Sequence, residues 1–507
     1  MIYSFPLFLS WSDILMKGEN MKFKFNFALI LAIIILISMT SVLSAAAASP
    51  QYFSDGTNQT YIVLYKNNAV SNDAATLIAE AGGELVYSYN EIGVVIASSN
   101  NVSFCANLLK DKRIEGVSAT AGFGTQVTDE FEVVDAAILA QTATNGTWGD
   151  PLSFMQWDMI QIHAPEAQAI NSGSPTVVVG DIDTGIDYTH PDLAANIDFA
   201  NSVSCVSGVP NTDPAAWMDD NGHGTHTAGT IAAAQNGIGI IGVAPNVKIA
   251  AIKAGNANGY FFPEAVICSF MWAGSHRIDV TNNSYFADPW QFNCRNDAEQ
   301  RAIWKAEQRA IRYAMSQGVV VVAAQGNQNL DLSKQNMDTT SPDNGTPITR
   351  DVTNACVVIP VEIPGVVGVT SDGAFMQKAY YSNYGVSVAQ VTAPGGDRRF
   401  QDPGDGSRGY VLSTYPGNRY ALAQGTSMAS PHVAGVAALI LSENGKKPQG
   451  AVQSALTSTA DPLDCPTNPF DPGGTGNWLA TCIGGSDYNG FYGHGEVNAL
   501  NAVTHSP

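Results

Sequence analysis

Positive charge is what this chain has least of. Its 507 residues carry 24 Lys and Arg against 45 Asp and Glu, a formal net charge of −21. Binding a phosphate backbone needs clustered cations that release counterions. No such cluster occurs, so nucleic acid is excluded as a partner. Cysteine is also scarce, at seven residues, and neither a CxxC pair nor a His/Cys spacing marks a zinc site. No internal repeat is found, and nothing in the composition indicates collagen, coiled coil or wholesale disorder. The longest apolar run, from Phe27 to Leu43, is slightly short of the ~20 residues that span a bilayer. What remains is a chain with 45% hydrophobic residues and 48 glycines, suited to a large, tightly packed α/β domain with many turns, and long enough for about two to three domains.

That apolar run follows two lysines and precedes the small residues Ala45–Ala48. The charged, apolar, small-residue order is that of a secretory signal peptide. Residues 1–48 are therefore expected to be removed on export, an uncleaved anchor being the alternative. The residues before Met21 fit the pattern poorly, which points to initiation at Met21. Export permits disulfides. Cys105 falls in a segment read below as removable, which leaves Cys205, Cys268, Cys294, Cys356, Cys465 and Cys482. Cys465 and Cys482 flank a Gly/Pro/Asn-rich loop and form the first expected pair; Cys294 with Cys356 is the second.

Residues 58–122 read as a small module. "YIVLYK", the two strands of "GELVYSYNEIGVVIAS" meeting near Asn90, and "EGVSAT" alternate with the helical segments "DAATLIAEAG" and "VSFCANLLKD". This β-α-β-β-α-β order is the split βαβ, ferredoxin-like pattern. Residues 123–149 are polar and mixed, like a linker. From residue 150 to 507, short apolar strands such as "PTVVVGDID", "VKIAAIKA", "DVTNNS" and "GVVVVAA" alternate with helices. In "DAEQRAIWKAEQRAIRYAMSQ", Ile303, Ala306, Ala310 and Ala314 share one face and Asp297 is the expected N-cap. Alternation of this kind predicts a mostly parallel sheet with helices on both faces, and ligands beyond the carboxyl ends of its strands. Long polar inserts fall at 329–354, 396–407 and 465–487.

Four stretches carry residues suited to chemistry. "DIDTGIDYTHPDL" puts Asp183 at a strand end, and "DDNGHGTHTAGT" puts His223 at the start of a helix. "GVVVVAAQGNQN" puts Asn327 just past a strand, and "GTSMASPHVAG" puts Ser427 at a turn into an apolar helix. Each has an ordinary reading: a lone serine at a helix start is usually a cap, a lone Asp a turn residue, a lone His a packed one. His226 and His432 take that ordinary reading. His432 lies five residues from Ser427, about 140° round a helix, and so faces elsewhere. Asp, His and Ser in this chain order form one of the known triad orders. With all four stretches in sequence, Ser427 is read as a nucleophile.

On these motifs the chain, from about Gln156 to Ala502, resembles subtilisin-like serine proteases, and residues 58–122 resemble that family's inhibitory propeptide. The resemblance implies a three-layer α/β domain with a central, mostly parallel sheet, and a secreted, monomeric endopeptidase that acts on polypeptides. It would be made as a self-processing precursor with its own propeptide as inhibitor and folding template, cut somewhere within 118–150. Asp183, His223 and Ser427 would be the triad, with Asn327 in the oxyanion hole. The cleft walls would be Gly259, Tyr260 and Phe261, then Ser284, Tyr285 and Phe286, with Ala324, Gln325 and Gly326 beside Asn327. Tyr285 and Phe286 replace smaller family residues, which implies narrower specificity. "AAAQNGIGIIGVAP" resembles the family's calcium loop. The implied ligands are Asp192, Asn236 and the carbonyls of Ala234, Ile238 and Ile240, with a further oxygen sought at Ser153 or Asp150. Two other classes stay open: a catalytically dead peptide-binding relative, and a chain that processes only itself. Asp181 departs from the family. On a strand it shares a face with Asp183, so one of the two carboxyls should be hard to ionise unless a donor or cation pairs with it.

Overall fold

The computed structural model describes residues 57–120, 126, 129–134, 148–341 and 348–505. The segment read as a signal peptide, 1–48, and most of the linker 123–149 lie outside these residues. Among the described residues no helix is long and apolar enough to cross a membrane.

The N-terminal module runs β1 (Gln59–Tyr65), α1 (Ala74–Ala81), β2 (Glu84–Tyr89), β3 (Val94–Ser99), α2 (Phe104–Leu108) and β4 (Ile114–Ala119). Its antiparallel sheet has the order β2-β3-β1-β4, the split βαβ arrangement expected. The chain turns from β2 to β3 through Gly93, whose φ of +64° and nearby Asn67 carbonyl would strain any side chain. After a short strand β5 (Glu132–Val133), seven parallel strands form the central sheet. They are β6 (Val178–Asp183), β7 (Val203–Ser204), β8 (Lys248–Lys253), β9 (Val280–Asn283), β10 (Val320–Ala324), β11 (Val367–Asp372) and β12 (Val391–Pro394), in the order β12-β11-β10-β9-β6-β8-β7. A hairpin of β13 (Val411–Tyr415) and β14 (Arg419–Ala423) follows.

The strands are buried on both faces, which is why they read as continuous apolar runs rather than alternating ones. Val320 and Val322 enter one core with α3 (His223–Ala232) and α6 (Thr426–Asn444). Val321 and Ala323 enter the other with α4 (Pro263–Ser275) and α5 (Ala298–Ser316). In α5, the Asp297 carboxylate caps the helix by accepting from the Glu299 and Gln300 N–H groups, and Ile303, Ala306, Ala310 and Ala314 are buried, as expected. Helix α6 is buried from Thr426 to Leu441, so it shows no amphipathic stripe.

The module docks on α5. Gly116 of β4 lies so close to Ala302 that a Cβ there would come within 2.8 Å of the Ala302 methyl. Arg309 donates to the carbonyls of Tyr65 and Ile92, both at 2.9 Å, and Tyr89 donates its hydroxyl proton to the Gly208 carbonyl at 2.7 Å. Ile62, Leu64 and Ile96 share an apolar cluster with residues of α4 and α5.

Three disulfides form: Cys294–Cys356 and Cys465–Cys482, the two expected pairs, and Cys205–Cys268; Cys105 is unpaired. The third pair joins the end of β7 to α4, a proximity that no local sequence pattern encodes.

Candidate active site

Asp183 is the last residue of β6, Ser284 follows β9, and Asn327 lies just beyond β10. The carboxyl ends of three neighbouring strands thus meet the first turns of α3 and α6. Gly222, at a φ of +116°, turns the chain into α3, and a Cβ there would strike the Tyr415 ring. This delivers His223 as the first residue of the helix. The His223 Nδ1 lies 2.7 Å from Asp183 Oδ1, and both side chains are buried. Asp183 Oδ1 also accepts from the Thr184 N–H at 2.7 Å.

Ser427 is not the cap of α6. The N-cap is Gly425, and Ser427 lies one residue inside the helix. Its Oγ donates to the Ser284 carbonyl at 3.2 Å, while Ser284 Oγ donates to the Ser427 carbonyl at 2.9 Å. Asn327 is aimed by Thr426: its Oδ1 accepts from the Thr426 N–H and hydroxyl, each at 2.9 Å, which turns Nδ2 toward the space beside Gly425.

A residue absent from the sequence reading fills that space. Asp129, from the linker, places Oδ2 3.0 Å from His223 Nε2 and accepts at Oδ1 from Asn327 Nδ2 at 3.1 Å. Its side chain is 3% exposed. Burial opposes the charged imidazole. The Asp183 charge and the hydrogen bonds to Asp129 and Asp183 outweigh it, holding the His223 pKa well above its ordinary value. With a carboxylate on each nitrogen the ring donates from both. The hydroxyl-to-base contact expected of Ser427 and His223 is therefore replaced: Asp129 takes Nε2, and Ser427 turns to the Ser284 carbonyl.

A cavity of about 200 Å³ opens beside Ser427. Ser284, Tyr285, Phe286, Ala324, Gln325, Gly326 and Asn327 line it, with Gln126 of the linker. Gly259 and Tyr260 stand outside it. Phe261 is a correction to the expected cleft wall: its ring is fully buried, stacked on Tyr285 with centroids 4.3 Å apart and planes 2° from parallel. It supports the floor of the cavity and offers no surface to a ligand.

Asp181 is fully buried. Asn282 Nδ2 donates to its Oδ1 at 2.9 Å, and the Thr227 hydroxyl lies 2.7 Å from its Oδ2. Burial, then the Asp183 charge, raise its pKa well above the ordinary carboxylate value, against the two hydrogen bonds. The expected donors are thus Thr227 and Asn282. Thr227 also reaches the Gly224 carbonyl at 3.1 Å, an acceptor for its own proton that leaves a lone pair for a protonated Asp181. A carboxyl protonated when folded but ionised when unfolded costs stability as pH rises above the unfolded value. Asp181→Asn is therefore expected to match the parent at pH 4 and exceed it increasingly toward pH 7, as read by urea unfolding in a Ser427→Ala background that prevents self-digestion.

The other histidines face elsewhere. His226 lies 3.1 Å from the Ala421 carbonyl, and burial lowers its pKa to about 3. His432 bridges the Met428 carbonyl and the Asp158 carboxylate.

The calcium-loop residues also come together. Asp192 Oδ2 accepts from the Tyr420 hydroxyl at 2.7 Å and the Ile240 N–H at 3.1 Å, whereas its buried Oδ1 has no partner. The Ser153 hydroxyl is likewise buried and unpartnered. Asp150 accepts from the N–H groups of Asn236 and Gly237, both at 2.9 Å. Among the described residues no three His, Cys, Asp or Glu side chains cluster as a metal site. The available donors are carboxylate, amide, hydroxyl and carbonyl oxygens, a set that fits calcium.

The profile of the Subtilase family matches residues 174–495. The chain belongs to the subtilase family. A thermophilic serine proteinase of Bacillus sp. (strain AK1) is 29% identical over 449 residues, 88% of this chain and 87% of that protein. Subtilisin DY of Bacillus licheniformis is 35% identical over 303 residues, 60% of this chain and 90% of that one. The epidermin leader peptide processing serine protease of Staphylococcus aureus superposes with a TM-score of 0.66 at 22% identity, covering 88% of this chain and 98% of its own. Fervidolysin of Fervidobacterium pennivorans gives 0.61 at 24%, covering 89% and 61%. This subtilase is a serine endopeptidase, with the central parallel sheet and flanking helices of the subtilisin fold.

Proposed function

We propose that the subtilase is exported as a precursor, loses residues 1–48, cuts itself between 118 and 150, and then hydrolyses polypeptides as a monomer through an acyl-enzyme on Ser427. His223 takes the Ser427 proton at Nε2 as Oγ adds to the scissile carbonyl, and later gives it to the leaving amine. Asp183 holds the Nδ1–H tautomer and stabilises the imidazolium. The Asn327 amide and the Ser427 N–H receive the oxyanion, and a water activated by His223 then cleaves the ester. One observation supports this most: Asn327 Nδ2 and His223 Nε2 converge on a single carboxylate beside Ser427. Asp129 Oδ1 stands in for the oxyanion of the tetrahedral intermediate. Its Oδ2 stands in for the atom that exchanges a proton with His223.

The N-terminal module and the residues after it would be the inhibitor. Chain direction supports this. From β4 the described linker residues pass Gln126, whose side chain donates to the Asn258 carbonyl, then Asp129 between His223 and Asn327, then Phe131 against Tyr415, and then β5 paired with β14. That is the path of a polypeptide through the cleft.

Fluorophosphonate labelling of the secreted protein, mapped by mass spectrometry, tests this reading. A tag on Ser427 of a shortened chain is expected. A chain that is secreted uncut, and that stays untagged once a second protease has removed its N-terminal module, would favour a peptide-binding relative without catalysis.

Calcium, held by Asp192, Asn236 and the loop carbonyls with Ser153 or Asp150 nearby, would supply structural charge neutralisation. At a concentration a hundredfold above its dissociation constant, a site of this kind adds about 2.7 kcal/mol. Chelation is expected to lower the melting temperature of the Ser427→Ala protein, and Asp192→Asn to abolish the difference.

A further inference from the structure

The loop between β12 and β13 carries arginines in a chain that has few. Asp397, fully buried, accepts from the Arg399 N–H at 3.1 Å, the Phe400 N–H at 3.0 Å and Gln401 Nε2 at 3.2 Å, which fixes the loop from inside. The Arg398 N–H donates to Gln424 Oε1 at 3.0 Å, three residues before Ser427. The guanidiniums of Arg398 and Arg408 both lie over the Tyr410 ring, 5.7 and 5.9 Å from its centroid. Two half-exposed cations thus share one buried aromatic base.

Both have partners of one kind. Arg398 Nη2 is 2.9 Å from Glu130 Oε2, and Arg408 pairs with Glu132. These glutamates are one and three residues beyond Asp129, the residue in the catalytic centre. An extended chain places such alternate residues on one side. The backbone is strand from Glu132 on: Glu132 and Val133 pair with Leu422 and Ala421, and the Val134 N–H donates to the Tyr420 carbonyl at 2.9 Å. The strand edge supplies register and the arginines supply charge, the usual division in peptide recognition by strand addition.

We infer that Arg398 and Arg408 form an acid-selective subsite downstream of the scissile bond, so that the subtilase prefers polypeptides with carboxylates at alternate positions past the bond it cuts. This rests on the endopeptidase reading. In the precursor the linker's own Glu130 and Glu132 fill the subsite, and a substrate fills it once the linker has gone. Residues 150–507 alone carry 17 Lys and Arg against 32 Asp and Glu, an excess that repels acidic polypeptides, so local cations are needed to draw such a substrate in.

The test uses the mature enzyme and peptides of one sequence in which Glu, or Gln as its neutral counterpart, is walked through the positions after the cut. An exposed ion pair contributes only a few-fold. At low salt, kcat/KM for Glu over Gln is expected to rise about fivefold at two alternate positions and to fall back in about 0.5 M salt, where the screening length is a few ångströms. Arg398→Gln with Arg408→Gln should remove the preference, bringing kcat/KM for the Glu peptides down to that for the Gln peptides. Equal rates on Glu and Gln peptides at every position, or a preference that survives the double substitution, would overturn the inference. Failure to cut any peptide, with Ser427 unlabelled, would instead overturn the endopeptidase reading on which it stands.

Discussion

His223→Ala is expected to lower kcat by about 10⁶-fold and to leave the precursor uncut. The size is that of single nucleophile or base knockouts in subtilisin, a relative of this chain. Without the imidazole, nothing within reach of Ser427 can take its proton, because the neighbouring acceptor seen here is a backbone carbonyl. Ser427→Ala should cost about as much, and the double variant little more, because the two groups act as one unit. Residual hydrolysis above the uncatalysed rate should persist from Asn327, whose Thr426 contacts do not depend on His223. The measurement is initial-rate hydrolysis with the refolded mature domain, alongside gel analysis of the secreted chain. A His223→Ala precursor that still matured on its own would show that another protease performs the cut.

Asp129→Ala is expected to raise the rate of fluorophosphonate labelling of the uncut precursor by about 10²-fold. Two hydrogen bonds to charged or polar partners are lost, and charge-assisted bonds contribute roughly 1.5–3 kcal/mol each. Asp129→Asn should fall between the two, since an amide can still accept from Asn327 while donating to a neutral His223. The pH dependence has a definite sign. The Asp129 contact raises the His223 pKa, so the closed state is favoured at pH values where the ring is protonated. It weakens as pH rises through that elevated value. Labelling of the parental precursor should therefore climb at higher pH than labelling of the alanine variant. Identical rates for the two precursors, read on the intact species by mass, would remove Asp129 from the latency mechanism.

The placement of Asp183, His223, Asn327 and Ser427 around one cleft was readable because it forces local signatures. Gly222 must turn before His223, Gly425 must leave room beside Asn327, and each side chain follows a strand end or opens a helix. The parallel sheet was readable because strands covered on both faces leave continuous apolar runs. Asp129 left no such mark. "TDEF" is an ordinary polar stretch, and its role exists only because the chain re-enters the cleft after β4. The partners of Asp181 were hidden for a related reason: Thr227 and Asn282 come from α3 and β9, and only the fold brings them together. Phe261 was misread because an aromatic at a cleft segment can face outward or inward, and here the Tyr285 ring drew it in.

The disulfides have a consequence for switching. All three bridges close loops within residues 205–482, and Cys105 of the N-terminal module is unpaired. Once the linker is cut, no covalent bond seen here would tether the module to α5. An intramolecular contact, with an effective concentration in the millimolar range for a short linker, would become a bimolecular one governed by how much protein has been released. Dilution into the surroundings would then act as the signal that turns the enzyme on.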